Sequence, residues 1–192
     1  MLNVSDVAVA SSYFYDGPEF DLQRVVTDSR QVEEYTLFAA IKGERVDGHS
    51  FIPALDQKFD HIAFLVSEEP QEPTKNPCFT VPDVREGLGR IAKLYLQSLD
   101  TKIVGVTGSV GKTTTKEMIA AVLESKFKTL KNEGNLNNRV GMPKTLFNLN
   151  DEHECAVIEM GMNQFGEISD LTRRAKPDVA VITNIGVQHI EF

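Results

Sequence analysis

A chain of 192 residues, of which 41% are hydrophobic and 25% charged, has the composition of an ordinary globular protein and room for one large domain or two small ones. Its net charge of −8 argues against nucleic acid or an anionic membrane surface as the main partner. Two cysteines cannot build a disulfide framework, and no stretch is long and apolar enough to span a membrane. These features predict a cytoplasmic protein.

Short apolar runs in residues 1–82 predict a small mixed α/β domain. Between the second and third runs, Ser50 is predicted to cap a short helix that turns Phe51, Ile52 and Leu55 inward. The predicted strands are residues 24–27, 37–41, 62–66 and 78–81.

A second domain, residues 83–192, is predicted to begin near Pro82 with a helix that Asp83 and Glu86 start as a capping box. Strands then alternate with helices, which indicates a parallel sheet with right-handed crossovers. In such a sheet, ligands bind at the carboxyl ends of the strands. The predicted strands are residues 103–106, a short one near Thr129, 156–160 and 179–183, and the predicted helices are residues 112–126 and 167–175.

A glycine turn joins the strand 103–106 to a helix that is predicted to bury Met118, Ile119, Val122 and Leu123 on one face. Strand, glycine turn, Lys-Thr and helix in this order predict a phosphate-binding loop, because backbone N–H groups and the helix N-terminus both favour an anion. The alternative is a plain strand-to-helix turn with a solvated lysine. The predicted nucleotide-binding residues are Gly108, Ser109, Val110, Gly111, Lys112, Thr113 and Thr114.

Within that loop, the Lys112 side chain is predicted to reach the β- and γ-phosphates of the nucleotide, and the Thr113 hydroxyl to ligate Mg²⁺. The spacing is shorter than in the common nucleotide motif, which would place a glycine where Val106 stands.

Further polar residues lie at the predicted ends of the neighbouring strands. Glu159 ends an apolar strand and is a candidate for a direct or indirect Mg²⁺ ligand, unless it is only a solvated or salt-bridged terminus. His189 follows the last strand, and an isolated histidine is more often a surface residue than a ligand. The asparagines 135, 137 and 138 indicate a turn, although amides can also donate to phosphate or carboxylate oxygens.

These motifs together resemble the Mur ligases, the ATP-dependent amide-forming enzymes of peptidoglycan precursor synthesis, and the resemblance covers essentially all 192 residues. The matching stretches are Thr27-Asp-Ser-Arg30, Leu37-Phe-Ala-Ala-Ile-Lys-Gly43 with Asp47-Gly-His-Ser-Phe51, Thr107-Gly-Ser-Val-Gly-Lys-Thr-Thr114, Gly134-Asn-Leu-Asn-Asn138 with Gly141-Met-Pro143, and Ile158-Glu-Met-Gly-Met-Asn163 with Gly166-Glu-Ile168.

The resemblance implies a small mixed α/β N-terminal UDP-binding domain followed by the first part of a P-loop parallel-sheet ATPase domain. It also implies ATP and Mg²⁺ as cofactors, with a UDP-N-acetylmuramoyl peptide and D-alanyl-D-alanine as substrates. The implied catalytic residues are Lys112, Glu159 and His189, and the implied metal-site residues are Thr113, Glu159 and His189. The implied substrate-binding residues are Thr27, Ser29, Arg30, Lys42, His49, Asn135, Asn137 and Asn138.

Mur ligases have three domains, so by resemblance this sequence ends inside the central one and lacks the C-terminal ligase domain. The 192 residues are therefore expected to bind a UDP-sugar weakly, to be inactive alone, and to self-associate through the exposed strand 179–183. The alternatives are a sister ligase that adds another amino acid, a folylpolyglutamate synthetase, and a nucleotide-binding module without catalysis. The first domain argues against the folate enzyme, whose family has no comparable UDP-binding unit.

Overall fold

A computed structural model describes residues 1–186, and the chain divides into two compact units, Met1–Tyr95 and Leu96–Phe192. No helix within residues 1–186 has both the length and the apolar character needed to cross a membrane. The elements of the first unit are β1 (Leu2–Asn3), α1 (Val4–Ala10), β2 (Asp21–Leu22), β3 (Arg24–Val26), β4 (Thr36–Ala39), α2 (Ile52–Lys58), β5 (Ile62–Val66), β6 (Cys78–Thr80) and α3 (Val84–Gln97), which ends just past the division.

The core of the first unit is a four-stranded parallel sheet in the order β3-β4-β5-β6. Phe38 of β4 lies beside Phe64 of β5, and Leu65 lies beside Phe79 of β6. Every residue of β5 is fully buried, which explains its continuous run of apolar side chains. The mixed α/β fold predicted for this region is therefore confirmed, with strand ends shifted by one or two residues.

The start of α2 differs from the prediction. Ser50 does not cap this helix: its hydroxyl donates to the Asp47 carbonyl oxygen at 2.7 Å, inside a short 3₁₀ turn, Gly48–Phe51. The prediction that Phe51 points inward is wrong, because this side chain is 38% exposed, whereas Ile52 and Leu55 are buried. The extra 3₁₀ turn, which the sequence pattern did not indicate, shifts the helix start and rotates Phe51 out of the core.

The N-terminus of α3 is capped as predicted by Asp83, whose carboxylate accepts from the backbone N–H groups of Arg85 and Glu86 at 2.7 and 3.2 Å. A Cβ placed on Gly87 of this helix would lie 3.1 and 3.3 Å from side-chain atoms of Val81 and Leu65. Most of α3 therefore packs in the first unit, and the chain divides after Tyr95, whereas the sequence placed the boundary near Pro82.

The second unit is built around another parallel sheet, in the order β10-β7-β9-β8. The parallel sheet with intervening helices was predicted, and both outer strands were placed correctly. At one edge, β10 exposes Val179 and Ile182, as expected from the sequence. The elements are β7 (Lys102–Thr107), α4 (Lys112–Glu124), β8 (Thr129–Lys131), α5 (Gly141–Leu146), β9 (Cys155–Glu159), α6 (Glu167–Ala175) and β10 (Val179–Ile182).

The buried face of α4 was predicted only in part. Ile119 and Leu123 pack against the core of the sheet, but Met118 and Val122 are 66% and 72% exposed. A lysine takes a buried position on this helix instead, since Lys116 is only 1% exposed. The hydrophobic pattern alone could not indicate this, because a lysine was assumed to face solvent.

Both cysteines are shielded thiols rather than reactive ones. Cys155 is buried at the start of β9, and burial beside the carboxylates of Asp56 and Glu69 raises the pKa of Cys78 to about 12. The thiolate is the reactive form, so a raised pKa leaves Cys78 almost entirely as the unreactive thiol at pH 8. We expect no reaction with Ellman's reagent in the native chain within minutes, and two thiols after denaturation. Rapid labelling of the native chain would contradict this packing.

Candidate active site

The carboxyl ends of all four strands of the second unit meet at one edge of its sheet, because the strands are parallel. The glycine loop follows β7, and Asn132 follows β8. Glu159 is the last residue of β9, and Thr183 follows β10. Ligands bind at this edge in open α/β sheets, and the predicted nucleotide-binding residues lie there.

The turn between β7 and α4 depends on two glycines with positive φ angles. Gly108 has φ +134°, and a Cβ at this position would lie only 2.2 Å from the Thr183 hydroxyl oxygen. Gly111 has φ +83° and is the N-cap residue just before α4, although a Cβ there would contact nothing within 4 Å. The first glycine is required by close packing and by its backbone, and the second by its backbone alone.

The segment after β10 lies against this loop. The Asn184 carbonyl oxygen accepts from the backbone N–H of Ser109 at 3.1 Å, and its side-chain oxygen accepts from that of Val110 at 2.8 Å. The Thr183 hydroxyl donates to the Val110 carbonyl oxygen at 2.6 Å. Anion binding would therefore fall to the N–H groups at the start of α4, which have no partner inside the helix.

Lys112 is the first residue of α4, and its ammonium group turns back over the loop. Its Nζ donates to the carbonyl oxygen of Gly108 at 2.7 Å and lies 3.4 Å from that of Ser109. The side chain is half-buried rather than extended into solvent. A positive charge thus lies beside the helix N-terminus, where it can meet a phosphate group.

Replacement of Gly108 by alanine should disrupt this loop. The new methyl group would collide with Thr183, and the backbone would be held at φ +134°, which costs on the order of 1–3 kcal/mol. We expect a lower melting temperature and a loss of nucleotide binding. Gly166→Ala is the matched control, because Gly166 also has a positive φ of +88° but no atom within 4 Å of its added Cβ. Equal effects of the two substitutions would contradict the role of close packing at Gly108.

Glu159 is the centre of a second polar cluster beside the loop. Its carboxylate is only 3% exposed and accepts from the Thr113 hydroxyl at 2.9 Å and from the Asn137 amide at 2.8 Å. The predicted metal ligands Thr113 and Glu159 thus lie in direct contact, and so does one predicted asparagine.

This donor set fits Mg²⁺. Magnesium is held in proteins by one or two carboxylates together with phosphate oxygens and water. The Thr113 hydroxyl donates a hydrogen bond to Glu159, so the lone pairs of the Thr113 oxygen remain available to a cation. Within residues 1–186 no group of three or more His, Cys, Asp or Glu side chains is placed to hold a metal, so the nucleotide's phosphates would have to complete the site.

The three predicted asparagines have different environments. Asn137 contacts Glu159, and its backbone carbonyl accepts from the Gly161 N–H at 2.8 Å. The Asn138 side chain accepts from the backbone N–H groups of Val140 and Gly141 at 3.0 and 2.9 Å, as expected for a turn residue that starts a helix. Asn135 is exposed at the tip of the turn.

The asparagine that the sequence analysis overlooked is Asn132, which is fully buried. Its side-chain oxygen accepts from the Glu159 N–H at 2.8 Å, and its amide donates to the carbonyl oxygens of Glu159 and Leu136 at 3.1 and 3.0 Å. Its own carbonyl oxygen accepts from Lys116 at 2.6 Å. Asn132 and Lys116 do not stand in a recognisable motif, and only the folded structure brings them close to Glu159.

The predicted substrate residues of the first unit lie at the carboxyl edge of its own parallel sheet. Thr27 and Ser29 follow β3, and Lys42 follows β4. Arg30 is 87% exposed in its side chain and forms an ion pair with Asp28 at 2.6 Å. Exposed cationic groups at a strand-end edge are suited to an anionic ligand.

His49, another predicted substrate residue, is held inside the first unit. Its Nδ1 lies 2.6 Å from Asp47 Oδ1, and its Nε2 accepts from the Ser67 N–H at 3.0 Å. Hydrogen bonds from the backbone and ring of His49 lower the pKa of Asp47. The Ser67 hydroxyl oxygen also lies 3.3 Å from Nε2, but the Ser67 N–H is closer and already donates to it, so this Asp-His-Ser arrangement is not set up to activate the serine hydroxyl. The histidine fixes the strand-end turns instead.

His189, the remaining predicted catalytic and metal-site residue, lies outside the described residues. The part of that strand-end segment that the structure describes contributes Thr183 and Asn184 to the loop, as given above.

The two parallel sheets and the loop geometry agree with comparisons to known proteins. Residues 106–192 match the Mur ligase middle domain, and residues 21–96 match the domain described as Mur ligase family, catalytic domain. The chain belongs to the Mur ligase family.

Its similar proteins include ligases named UDP-N-acetylmuramoyl-tripeptide–D-alanyl-D-alanine ligase, or MurF. The Bacillus subtilis enzyme is 46% identical over 170 residues, which cover 87% of this chain and 36% of that protein. A MurF structure from Acinetobacter baumannii superposes with a TM-score of 0.85 at 34% identity, over 97% of this chain and 41% of the other.

A MurF from Thermotoga maritima in complex with ADP gives a TM-score of 0.80 at 36% identity, over 88% of this chain and 39% of the other. In each of these comparisons, the chain spans only about two fifths of the relative's length.

Proposed function

We propose that this chain forms the UDP-sugar-binding and nucleotide-binding parts of a MurF-type ligase, a cytoplasmic enzyme that joins D-alanyl-D-alanine to a UDP-N-acetylmuramoyl tripeptide with ATP. The observation that carries the proposal is the contact of Thr113, Glu159 and Asn137 beside the glycine loop. The MurF names of the relatives support the choice of substrates.

In this proposal, residues Gly108–Thr114 bind the phosphates of ATP. The start of α4 supplies backbone N–H groups, and Lys112 supplies a positive charge that must exchange its carbonyl partners for phosphate oxygens. Thr113 and Glu159 would hold Mg²⁺ with those phosphates, and His189 is proposed as a further residue of that site. When bound, the cation neutralises charge on the transferred phosphoryl group.

The proposed reaction has two steps. A carboxylate oxygen of the peptide attacks the γ-phosphorus of ATP. The bond between this phosphorus and the oxygen of the β-phosphate breaks, ADP departs, and the peptide becomes an acyl phosphate. The amine of D-alanyl-D-alanine then attacks the acyl carbon, phosphate departs, and the nitrogen loses a proton to form the amide. Lys112 stabilises charge on the phosphoryl oxygens during the first step, which is the main protein contribution to such transfers.

The first unit is proposed to bind the UDP end of the peptide substrate. Thr27, Ser29, Arg30 and Lys42 would meet the diphosphate or sugar, while His49 holds the neighbouring turns in place. Asn135, Asn137 and Asn138 of the second unit are proposed to face nucleotide or substrate. A sister ligase that adds a different amino acid remains the second candidate. The residues proposed above bind ATP and the UDP end of the substrate, and the ligases differ in the incoming amine.

Calorimetry on the 192-residue chain tests this assignment. We expect weak binding of a UDP-N-acetylmuramoyl tripeptide, and a further loss of at least about fivefold in Lys42→Ala, since each charge-assisted hydrogen bond is worth roughly 1.5–3 kcal/mol. Lys58→Ala is the control, because Lys58 lies at the far end of α2 over the Phe59 ring. Equal binding of UMP and the tripeptide, or equal loss in both variants, would contradict the proposal.

A further inference from the structure

Lys116 is a buried charge that the proposed mechanism does not use. It lies one helical turn after Lys112, and its side chain is only 1% exposed. A buried lysine is costly unless it is paired and hydrogen-bonded. A residue at such a position therefore needs an explanation beyond packing.

The partners of Lys116 connect it to the metal site. Its Nζ donates to the Asn132 carbonyl oxygen at 2.6 Å and lies 3.3 Å from Glu117 Oε1. Its distance to Glu159 Oε2 is 3.9 Å, which is an ion pair but too long for a hydrogen bond. Its directed contact is thus with Asn132, not with the carboxylate.

Asn132, which Lys116 holds by its carbonyl oxygen, in turn holds Glu159 in place. Its side chain bonds both the N–H and the carbonyl oxygen of Glu159, so it fixes the backbone from which the carboxylate projects. Its amide also donates to the Leu136 carbonyl oxygen, which fixes the turn that carries Asn137. Asn137 in turn donates to Glu159 Oε1. Lys116 therefore holds, through Asn132, both the Glu159 carboxylate and Asn137, one of the two side chains that donate to it.

We propose that Lys116 is a positioning residue of the metal site, which acts through Asn132 to hold the Glu159 carboxylate in place before the divalent cation binds. The inference rests on the proposed nucleotide and Mg²⁺ function. Residues that orient metal ligands typically change metal affinity 10–100-fold when they are removed.

The sign of the effect separates positioning from simple electrostatics. A positive charge close to Glu159 repels a cation, so its removal by Coulomb's law alone would strengthen Mg²⁺ binding. Loss of a positioning contact would weaken it. Lys116→Met removes the charge and the hydrogen bond while keeping an unbranched apolar stem.

The experiment measures binding of a fluorescent, non-hydrolysable ATP analogue to the 192-residue chain, first in EDTA and then as a function of Mg²⁺ concentration. For Lys116→Met we expect the Mg²⁺ midpoint to rise about tenfold. The affinity in EDTA should stay within about twofold, because the loop and Lys112 are untouched. Lys131→Met is the matched control: Lys131 also pairs with Glu117, at 2.6 Å, but its side chain is 33% exposed against 1% for Lys116. The Mg²⁺ midpoint of this variant should not change.

An unchanged or lower Mg²⁺ midpoint in Lys116→Met would overturn the inference, as would an equal rise in Lys131→Met or an equal loss in EDTA. If thermal denaturation shows that Lys116→Met does not fold, Lys116→Gln is measured instead. Its amide offers Asn132 a donor without the charge, so the Mg²⁺ midpoint should not fall below that of the parent, and a fall would overturn the inference. Failure of both to fold would overturn a separable positioning role. If the parent chain binds no nucleotide, the proposed function itself is contradicted. If the parent binds nucleotide and Mg²⁺ and the variants have the same Mg²⁺ midpoint, only the positioning role of Lys116 is refuted.

Discussion

Replacement of Lys112 by alanine should abolish ligation and leave the fold intact. Among the residues that the structure describes, the ammonium group contacts only the carbonyl oxygens of Gly108 and Ser109, so little structure depends on it. We expect a fall of at least about a hundredfold in turnover, the size found when one preorganised charge or donor is removed from a reacting group. The measurement is phosphate release by an enzyme of the relatives' length that contains these 192 residues, alongside its melting temperature.

Lys126→Ala is the control for this change. Lys126 lies just beyond the other end of α4, over the Phe127 ring, so its removal alters the net charge equally but far along the helix from the loop. Unchanged turnover in Lys112→Ala, or an equal loss in Lys126→Ala, would contradict the assignment of the phosphate-binding loop.

The substitution Glu159→Gln should reduce Mg²⁺-dependent activity by about 10²-fold and spare UDP-sugar binding. The amide keeps the shape of the side chain and can still accept one hydrogen bond, but it lacks the charge that a hard cation requires. Asn137 can turn its amide to meet the new NH₂ group, and Lys116 keeps its contacts with Asn132 and Glu117, so the fold should persist.

This prediction is checked by titrating Mg²⁺ against phosphate release, with calorimetry of the UDP-sugar as the second readout. Glu124→Gln is the control, because Glu124 is an exposed carboxylate at the end of α4 that lies 3.8 Å from the ammonium group of Lys131. If the metal titrations of Glu159→Gln and the parent overlay, Glu159 is only a strand terminus.

Much of the fold could be predicted from sequence because its strands are continuous apolar runs between turn residues. The run Ile62–Val66 needed no correction, since a strand buried on both faces has the same pattern in sequence and in structure. The start of α2 could not be predicted in the same way, because the 3₁₀ turn before it is held by Asp47.

The candidate site was predictable where chemistry follows a local motif. Lys112 and Thr113 belong to one loop, and Glu159 ends one strand, so their meeting follows from the parallel sheet. Lys116 and Asn132 were missed because their roles come from tertiary contacts between α4, β9 and the turn after β8. Outside a motif, a lysine indicates only a surface position and an asparagine only a turn.

The loop at Gly108–Thr114 is proposed to serve transfer of the γ-phosphoryl group to a peptide carboxylate. The most direct test uses an enzyme of the relatives' length that contains this sequence. It is supplied with MgATP, D-alanyl-D-alanine and a UDP-N-acetylmuramoyl tripeptide labelled with ¹⁸O in its terminal carboxylate. Attack by the carboxylate predicts one ¹⁸O atom in each released phosphate and one amide per phosphate. Unlabelled phosphate would mean that water attacks ATP, and would contradict the account.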